Sequence, residues 1–268
     1  MGKHQPAIDV IELTHCYNGI PAVDRISFHA APGTILGLLG PNGAGKSTTI
    51  KMLTTLLPVT SGTAKVSGYD IIKEPSCVRG RIGYVPQLIS ADGDLSGYEN
   101  LLLSGKLYGL VPKVRERRIQ EVLDFMSLQD AASRLVNQYS GGMIRRLEIA
   151  QALLHLPHVL FLDEPTLGLD PSARQLLWHR IKELREQFGT TILITTHDME
   201  EADFLCDVVA FMHVGHIVGM ASPSELKHAL GEDATLNDVF IHYTGTSITE
   251  GDSYGHVKQT RHAITHRR

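Results

Sequence analysis

From Ala7 to Ala31 apolar and polar residues mostly alternate, and the alternation is interrupted at Asn18-Gly19. Alternation puts successive side chains on opposite faces of an extended strand, and Asn-Gly is the pair that a two-residue hairpin turn favours. The chain is therefore predicted to open with an antiparallel β layer. Thr34 to Leu39 is a continuous apolar run that ends in a glycine-rich loop, and the spacing beyond it predicts a helix with Ile50, Leu53, Leu56 and Leu57 facing inward. The pattern changes between Tyr98 and Asp130, where Ile119, Val122, Leu123 and Met126 fall on one helical face and Arg115, Arg117 and Arg118 on the solvated side. An inserted helical subdomain, about 90–155, is expected there.

Two short apolar runs follow, Val159 to Leu162 and Thr191 to Thr195, separated by a helical register of Leu177, Ile181, Leu184 and Phe188. Unbroken apolar strands alternating with helices imply a doubly wound, mostly parallel sheet covered on both faces. Helix starts are expected at Asp170-Pro171, at Asp198 with Glu201 three residues on, and at Ser222-Pro223 with Glu225. The fold class is α/β, an N-terminal antiparallel layer beside a phosphate-loop type of parallel sheet, spanning 7–243. The polar stretch 244–268 is expected to be a loose tail, and its His256, His262 and His266 lack the spacing of a metal site.

Composition narrows the function. The 268 residues carry a formal net charge of -4, without the positive excess that phosphate-backbone contact needs, so no nucleic acid is expected as a partner. Three dispersed cysteines form no CxxC pair, which suits a reducing compartment. The opening MGKHQPAIDVIEL has no apolar core of the signal-peptide kind. The most apolar window, Val208 to Ala221, is broken by His213, Gly215, His216 and Gly219 and reads as a strand hairpin. Any attachment to a membrane is expected to come through a partner.

The candidate chemistry begins at Gly40-Pro41-Asn42-Gly43-Ala44-Gly45-Lys46-Ser47-Thr48, which matches GxxxxGK[ST] between a buried strand and a helix. Backbone N–H groups of such a loop turn inward around phosphates, the helix start adds positive potential, Lys46 reaches the β- and γ-phosphates, and Ser47 ligates Mg²⁺. Asp163 and Glu164 end the Val159 run, and strand carboxyl ends are where ligands gather in a doubly wound sheet. That position suits Asp163 for holding Mg²⁺ through water and Glu164 for activating the water that attacks a γ-phosphate. Taken alone, such a DEP string is more often an ordinary strand-end turn beside Pro165, and the phosphate loop is what tips the reading toward chemistry.

Between these two motifs lies Tyr139-Ser140-Gly141-Gly142-Met143, at the head of another helical run. The order of phosphate loop, Gln87 loop, SGG segment, acidic strand end and Ile194-Thr195-Thr196-His197-Asp198 resembles the ATP-binding cassette (ABC) family, from about Ile8 to Tyr243. The resemblance implies that Ser140, Gly141, Gly142 and Met143 meet the γ-phosphate of a nucleotide held by a facing second copy. It implies that Gln87 touches Mg²⁺ and the attacking water, that His197 contacts the γ-phosphate, that Asp170 crosses the dimer interface, and that Tyr17 stacks on adenine. Asp170 is also suited to cap the helix that starts at Pro171. The segment reads YSGGM where many members have LSGGQ; the serine and glycine donors are retained. Arg145 and Arg146 either steer phosphate or pair across a helix turn, and the second is expected.

Within the family, GLLGPNGAGKSTTIKML, Asp94 to Leu101, YSGGMIRRLEIA and Leu236 to Phe240 resemble the daunorubicin-resistance type of export ATPase. The implied function is Mg²⁺-dependent ATP hydrolysis by a head-to-tail dimer at the cytoplasmic face of the membrane, energising a separate permease that exports a small molecule. The competing function is a soluble cassette ATPase acting on ribosomes or DNA; the double cassette or long coiled-coil insertion usual in such proteins is missing from this sequence.

Overall fold

The alternating opening runs form strands β1 (Ile8–Tyr17) and β2 (Ile20–Ala30), paired antiparallel with Tyr17 opposite Ile20 across the Asn18-Gly19 turn. Both turn residues have positive φ, 50° and 79°, the geometry that Asn-Gly adopts at little cost. In this computed structural model, which describes residues 5–231 and 233–245, the apolar run after Thr34 is β3 (Ile35–Leu39), followed by helix α1 (Lys46–Leu53). Helix α1 ends earlier than its apolar spacing suggested, so Leu56 lies beyond it and is 61% exposed. Strands β4 (Ser61–Val66) and β5 (Tyr69–Asp70) complete a four-stranded antiparallel sheet in the order β2-β1-β4-β5.

A short helix α2 (Pro75–Arg79) leads into β6 (Ile82–Val85). The helical segment is α3 (Gly97–Leu107), α4 (Pro112–Phe125) and α5 (Gly141–Leu153), with two short 3₁₀ turns before α5. Then come β7 (Val159–Asp163), α6 (Pro171–Phe188), β8 (Thr191–Thr196), α7 (Met199–Leu205), β9 (Val208–His213), β10 (His216–Ala221), α8 (Pro223–Leu230) and α9 (Leu236–Thr244). The second sheet has the order β10-β9-β3-β8-β7-β6; its pairings are parallel except for the β9–β10 hairpin. The expected doubly wound sheet, its antiparallel partner layer and the Val208–Ala221 hairpin are all present.

Strand pleating divides the core in two. Leu36, Leu38, Phe161 and Leu193 point into a cluster shared with the antiparallel sheet and α1, whereas Ile35, Leu39, Leu160, Leu162, Ile192 and Ile194 point into the helical cluster. Burial on both faces is why these strands are apolar at every position instead of every second one. The same covering brings the polar strand ends together: Leu39 pairs with Thr196, Asp163 with Thr195 and Val85 with Leu162, so β3, β8, β7 and β6 finish level.

Two helical expectations need correction, and a third, the helix start at Asp198, is met without its reciprocal glutamate. Arg118 is not on the solvated side of α4; it is 6% exposed and donates to Leu153 O, which Leu156 N also reaches, and to Leu154 O at the end of α5. Phe188 is at the end of α6 and 45% exposed, set edge-to-face on Phe125 at 5.6 Å. Asp198 caps α7 by accepting from Glu200 N and Glu201 N, but the buried Glu201 carboxylate turns away to Thr166 Oγ1 and Trp178 Nε1. Ser222 with Glu225 does form the expected reciprocal cap. Thr244 closes α9 and Gly245 follows it in a left-handed conformation; the rest of the expected tail, with His256, His262 and His266, lies outside the described residues.

Because a buried carbonyl without a donor costs on the order of 1–3 kcal/mol, and Leu154 O loses its donor while Leu153 O keeps that of Leu156 N, Arg118→Met is expected to destabilise the fold by about that amount. Chemical denaturation checks it: an unchanged midpoint would show that Arg118 contributes no capping energy.

Candidate functional site

Gly40 to Thr48 runs from the end of β3 into α1 and is held on both sides. Gly40 N donates to Thr196 O at 3.3 Å, and Gly215 N, in the β9–β10 turn, donates to Ala44 O at 2.9 Å. Gly45 adopts φ 107°, and a Cβ there would lie 2.7 Å from Ala22 O, so only glycine fits between the loop and the antiparallel layer. Pro41, Asn42 and Gly43 form the outer part of the loop and Ala44 is buried beneath it. Lys46 is 4% exposed and folds back into the loop, donating to Gly40 O at 2.7 Å and Pro41 O at 3.2 Å.

The acids at the end of β7 meet this loop directly. Ser47 Oγ donates to Asp163 Oδ1 at 2.9 Å, and Thr195 Oγ1 donates to the same oxygen at 2.6 Å. Thr195 Oγ1 also accepts from Glu164 N at 3.0 Å, so one hydroxyl fixes both acids. Glu164 has φ 48°, left-handed for a residue with a side chain and contrary to the extended bias that Pro165 imposes on it. This turn sends its carboxylate toward the loop and away from the direction the strand would continue.

Three groups converge on that carboxylate, which is 5% exposed. Lys46 Nζ is 3.2 Å from Oε1, Gln87 Nε2 donates to Oε2 at 3.2 Å, and His197 Nδ1 is 3.5 Å from Oε2. The histidine contact is an ion-pair distance, longer than a well-formed hydrogen bond, and no hydrogen bond reaches its buried Nδ1 among the described residues. Burial pushes the Glu164 carboxyl upward, but His197 and Lys46 together outweigh it and hold the group below 4.5. The Glu164 carboxylate in turn holds His197 above 6.5, against burial. Burial lowers the Lys46 amine, opposed by Glu164 and Asp163. The result is an ionised acceptor oxygen pair beside two cationic groups. A cavity of ≈ 410 Å³ opens beside Glu164 and His197.

A second cluster stands apart from the first. Ser140 caps α5, its Oγ accepting from Met143 N at 3.3 Å, and Ser140 and Gly141 are exposed. A Cβ on Gly142 would meet Ala173 Cβ at 2.8 Å, because α5 packs tightly on the first turn of α6. That turn is capped by Asp170, whose Oδ1 accepts from Ala173 N at 3.0 Å. Among the described residues no hydrogen bond or ion pair joins Ser140–Met143 or Asp170 to Gly40–Thr48, Asp163, Glu164, Gln87 or His197. Tyr17 stands at the end of β1, 47% exposed, against the edge of His15.

Several working contacts escape the motifs. Thr195 sits inside an apolar strand and gives no sign that it braces two acids. Arg145 does pair across a helix turn with Glu148 at 3.0 Å, whereas Arg146 leaves its helix and donates to Met126 O at 2.7 Å, at the end of α4.

A family description, ABC transporter, matches residues 23–167. The chain is 45% identical over 227 residues to the daunorubicin/doxorubicin resistance ATP-binding protein DrrA of Streptomyces peucetius, covering 85% of this chain and 68% of that protein. It is 42% identical over 224 residues to the linearmycin resistance ATP-binding protein LnrL of Bacillus subtilis, covering 84% and 72% of the two chains. Among solved structures, an ATP-binding subunit of an ABC transporter superposes with a TM-score of 0.79 at 29% identity, covering 89% of this chain and 99% of the other. A dimeric ATP-binding cassette in a post-hydrolysis state, bound to ADP and Pi, superposes with a TM-score of 0.73 at 25% identity, covering 80% and 98%.

The electrostatics of Glu164 and His197 yield a pH test with a definite sign. Glu164 is held below 4.5, so its contribution to stability is present above that pH and is lost as pH falls through its folded value. His197 is held above 6.5, so its contribution is present below pH 6.5 and is lost as pH rises through its folded value. In an NMR titration His197 is expected to titrate above 6.5 and to move back toward 6.5 in Glu164→Gln. A midpoint at or below 6.5 in the unsubstituted chain would show that the two side chains do not interact.

Proposed function

The chain belongs to the ABC transporter family, in which it is an ATP-binding and ATP-hydrolysing subunit, and from that premise we propose how its residues divide the work. Gly40 to Thr48 wraps the triphosphate, with Lys46 serving the β- and γ-phosphates and Tyr17 stacking on adenine. Ser47, Asp163 and Gln87 hold Mg²⁺. Their hydroxyl, carboxylate and amide oxygens are the hard donors this cation takes beside phosphate oxygens and waters, and Ser47 Oγ already lies 2.9 Å from Asp163 Oδ1. A bound Mg²⁺ supplies neutralisation of charge on the β- and γ-phosphate oxygens.

Glu164 is the base. One observation carries this assignment: its buried carboxylate is the point at which Lys46, Gln87 and His197 meet. Being ionised, it accepts the proton of a water as that oxygen bonds to the γ-phosphorus and the bond to the β-phosphate oxygen breaks. Gln87 orients the water, and His197, with its raised pKa, offers positive charge to the γ-phosphate. The donors Ser140, Gly141, Gly142 and Met143, with Asp170, serve a nucleotide on a second copy docked head to tail. Supporting this, the N–H groups of Gly141 and Gly142 form no hydrogen bond among the described residues, and the Ser140 end of α5 is exposed.

The subunit energises a separate membrane permease that exports a small molecule, in keeping with relatives named for daunorubicin and doxorubicin resistance, linearmycin resistance and Nod factor export. No helix among the described residues is long and apolar enough to cross a membrane. Leu88 and Ile89 beside Gln87, and Leu107 and Val111 at the α3–α4 junction, are 81%, 61%, 80% and 61% exposed, an apolar surface suited to a permease on the cytoplasmic side.

Glu164→Gln is expected to cut ATP turnover by on the order of 10²- to 10⁴-fold and to accumulate an ATP-bound dimer in size-exclusion chromatography. Turnover at the unsubstituted rate by a monomer would overturn both the base and the pairing. Lys46→Ala is expected to weaken nucleotide binding in a titration, and unchanged affinity would remove the loop assignment. Leu107→Glu should leave basal ATP turnover intact while releasing the subunit from membranes; retention on membranes would move the permease contact elsewhere, and recovery of the unsubstituted chain with ribosomes or DNA would overturn the transport function.

A further inference from the structure

The stretch from Pro86 to Ala91 follows β6, carries Gln87 and has no regular secondary structure. Among the described residues, every hydrogen bond made by its main chain goes to two side chains of α5. Arg145 Nη1 donates to Pro86 O at 2.7 Å and Nη2 donates to Gln87 O at 2.9 Å. Glu148 Oε1 accepts from both the N–H and the hydroxyl of Ser90. The two side chains are joined to each other, Arg145 Nη1 to Glu148 Oε2 at 3.0 Å, with 7% and 1% of their surfaces exposed.

An ion pair this deeply buried is costly to desolvate unless its remaining donors and acceptors are filled. Here both carboxylate oxygens and both terminal guanidinium nitrogens are engaged, and their other partners belong to the loop. A planar fork meets two successive carbonyls at once, which the single ammonium of a lysine cannot do. The loop therefore has no main-chain anchor of its own and takes its position from α5. That same helix begins at Ser140, and Gly141 and Arg145 are separated by only about 6 Å along its axis.

We propose that Arg145 and Glu148 are positioning residues for ATP hydrolysis. They fasten the Gln87 loop to the helix headed by Ser140, so that the Gln87 amide stays on Glu164 and shifts only together with the Ser140–Met143 end. The proposal rests on the assignment of Glu164 as base and of Ser140–Met143 as donors to a second copy. Docking at the exposed end of α5 is thereby felt, through a turn or so of helix, by the group that orients water in the subunit's own site.

The test is a double-mutant cycle on the full-length chain. Arg145→Met should lower kcat on the order of 10- to 100-fold, the scale of a catalytic group displaced by about 1 Å, with KM for ATP unchanged. The same change in a Gln87→Ala background should cost little more, and Arg145→Lys should recover only a minor part of the rate. Equal costs in both backgrounds, full recovery by lysine, or a lowered melting temperature with kcat intact would overturn the proposal. Independently of catalysis, the Ser90 amide should exchange with solvent faster in Glu148→Ala, and unaltered exchange would also overturn it. Should Glu164→Gln turn over at the unsubstituted rate, the base assignment fails instead, and the Ser90 exchange then decides the clamp alone.

Discussion

Four parallel strands that end level are the constraint from which the site follows. Strands β3, β8, β7 and β6 are neighbours, and their register sets Leu39 beside Thr196, Asp163 beside Thr195 and Val85 beside Leu162. A one-residue slip in any pair would exchange the two core faces and turn every side chain over. Such a slip is strongly opposed here because both faces are covered. The polar residues that cannot enter either core, Asp163, Thr195 and Thr196, are confined to the same edge, and the loops carrying Gly40, Gln87, Glu164 and His197 leave from it. Packing thus brings together groups far apart in sequence before any ligand contributes.

What the edge then has to solve is the burial of negative charge. Asp163 and Glu164 are 2% and 5% exposed, and unpaired carboxylates at that depth would take up protons. Thr195 Oγ1 answers part of the problem by donating to Asp163 while accepting from Glu164 N. Lys46, Gln87 and His197 answer the rest at the Glu164 carboxylate, where His197 and Lys46 outweigh the upward push of burial on its pKa. The left-handed backbone of Glu164 is the strain required for this arrangement. Strain of about 1–3 kcal/mol persists only where the surroundings overdetermine the conformation, as the two hydrogen bonds to Glu164 N do.

Much of this architecture is legible in the sequence because it depends on local signals. Alternation, Asn18-Gly19, the glycine loop and the apolar run into Asp163 each have a short-range physical cause, and the structure builds an element at every one. The misses have a common cause: they concern which partner a side chain reaches across space. Arg118 occupies a surface position by helical spacing, yet the open end of α5 draws it inward. Leu56 continues its apolar register past the point where α1 stops, and Phe188 continues its own to the exposed last residue of α6, so spacing overcounts the core at both helix ends. Glu201 has the sequence position of a capping glutamate, but a buried hydroxyl and indole N–H compete for its carboxylate. Thr195 is indistinguishable by pattern from the other β-branched residues of β8.

Helix α5 connects the two clusters, and its ties are what give that connection mechanical content. Arg118 donates to the carbonyls at its C-terminal end, Gly142 at its N-terminal end lies against α6, and Arg146 reaches the end of α4. Leu147, Ile149, Ala150 and Leu153 fill the core between these points. A close-packed helix secured at both ends and along one face cannot absorb a displacement of its exposed tip by local bending, because the neighbouring side chains have no void to enter. Displacement must instead pass to whatever else the helix holds, and at Arg145 and Glu148 it holds the stretch from Pro86 to Ala91, whose main chain makes no other hydrogen bond among the described residues. The two clusters, separate in their hydrogen bonding, are therefore parts of one rigid body that ends in a compliant loop.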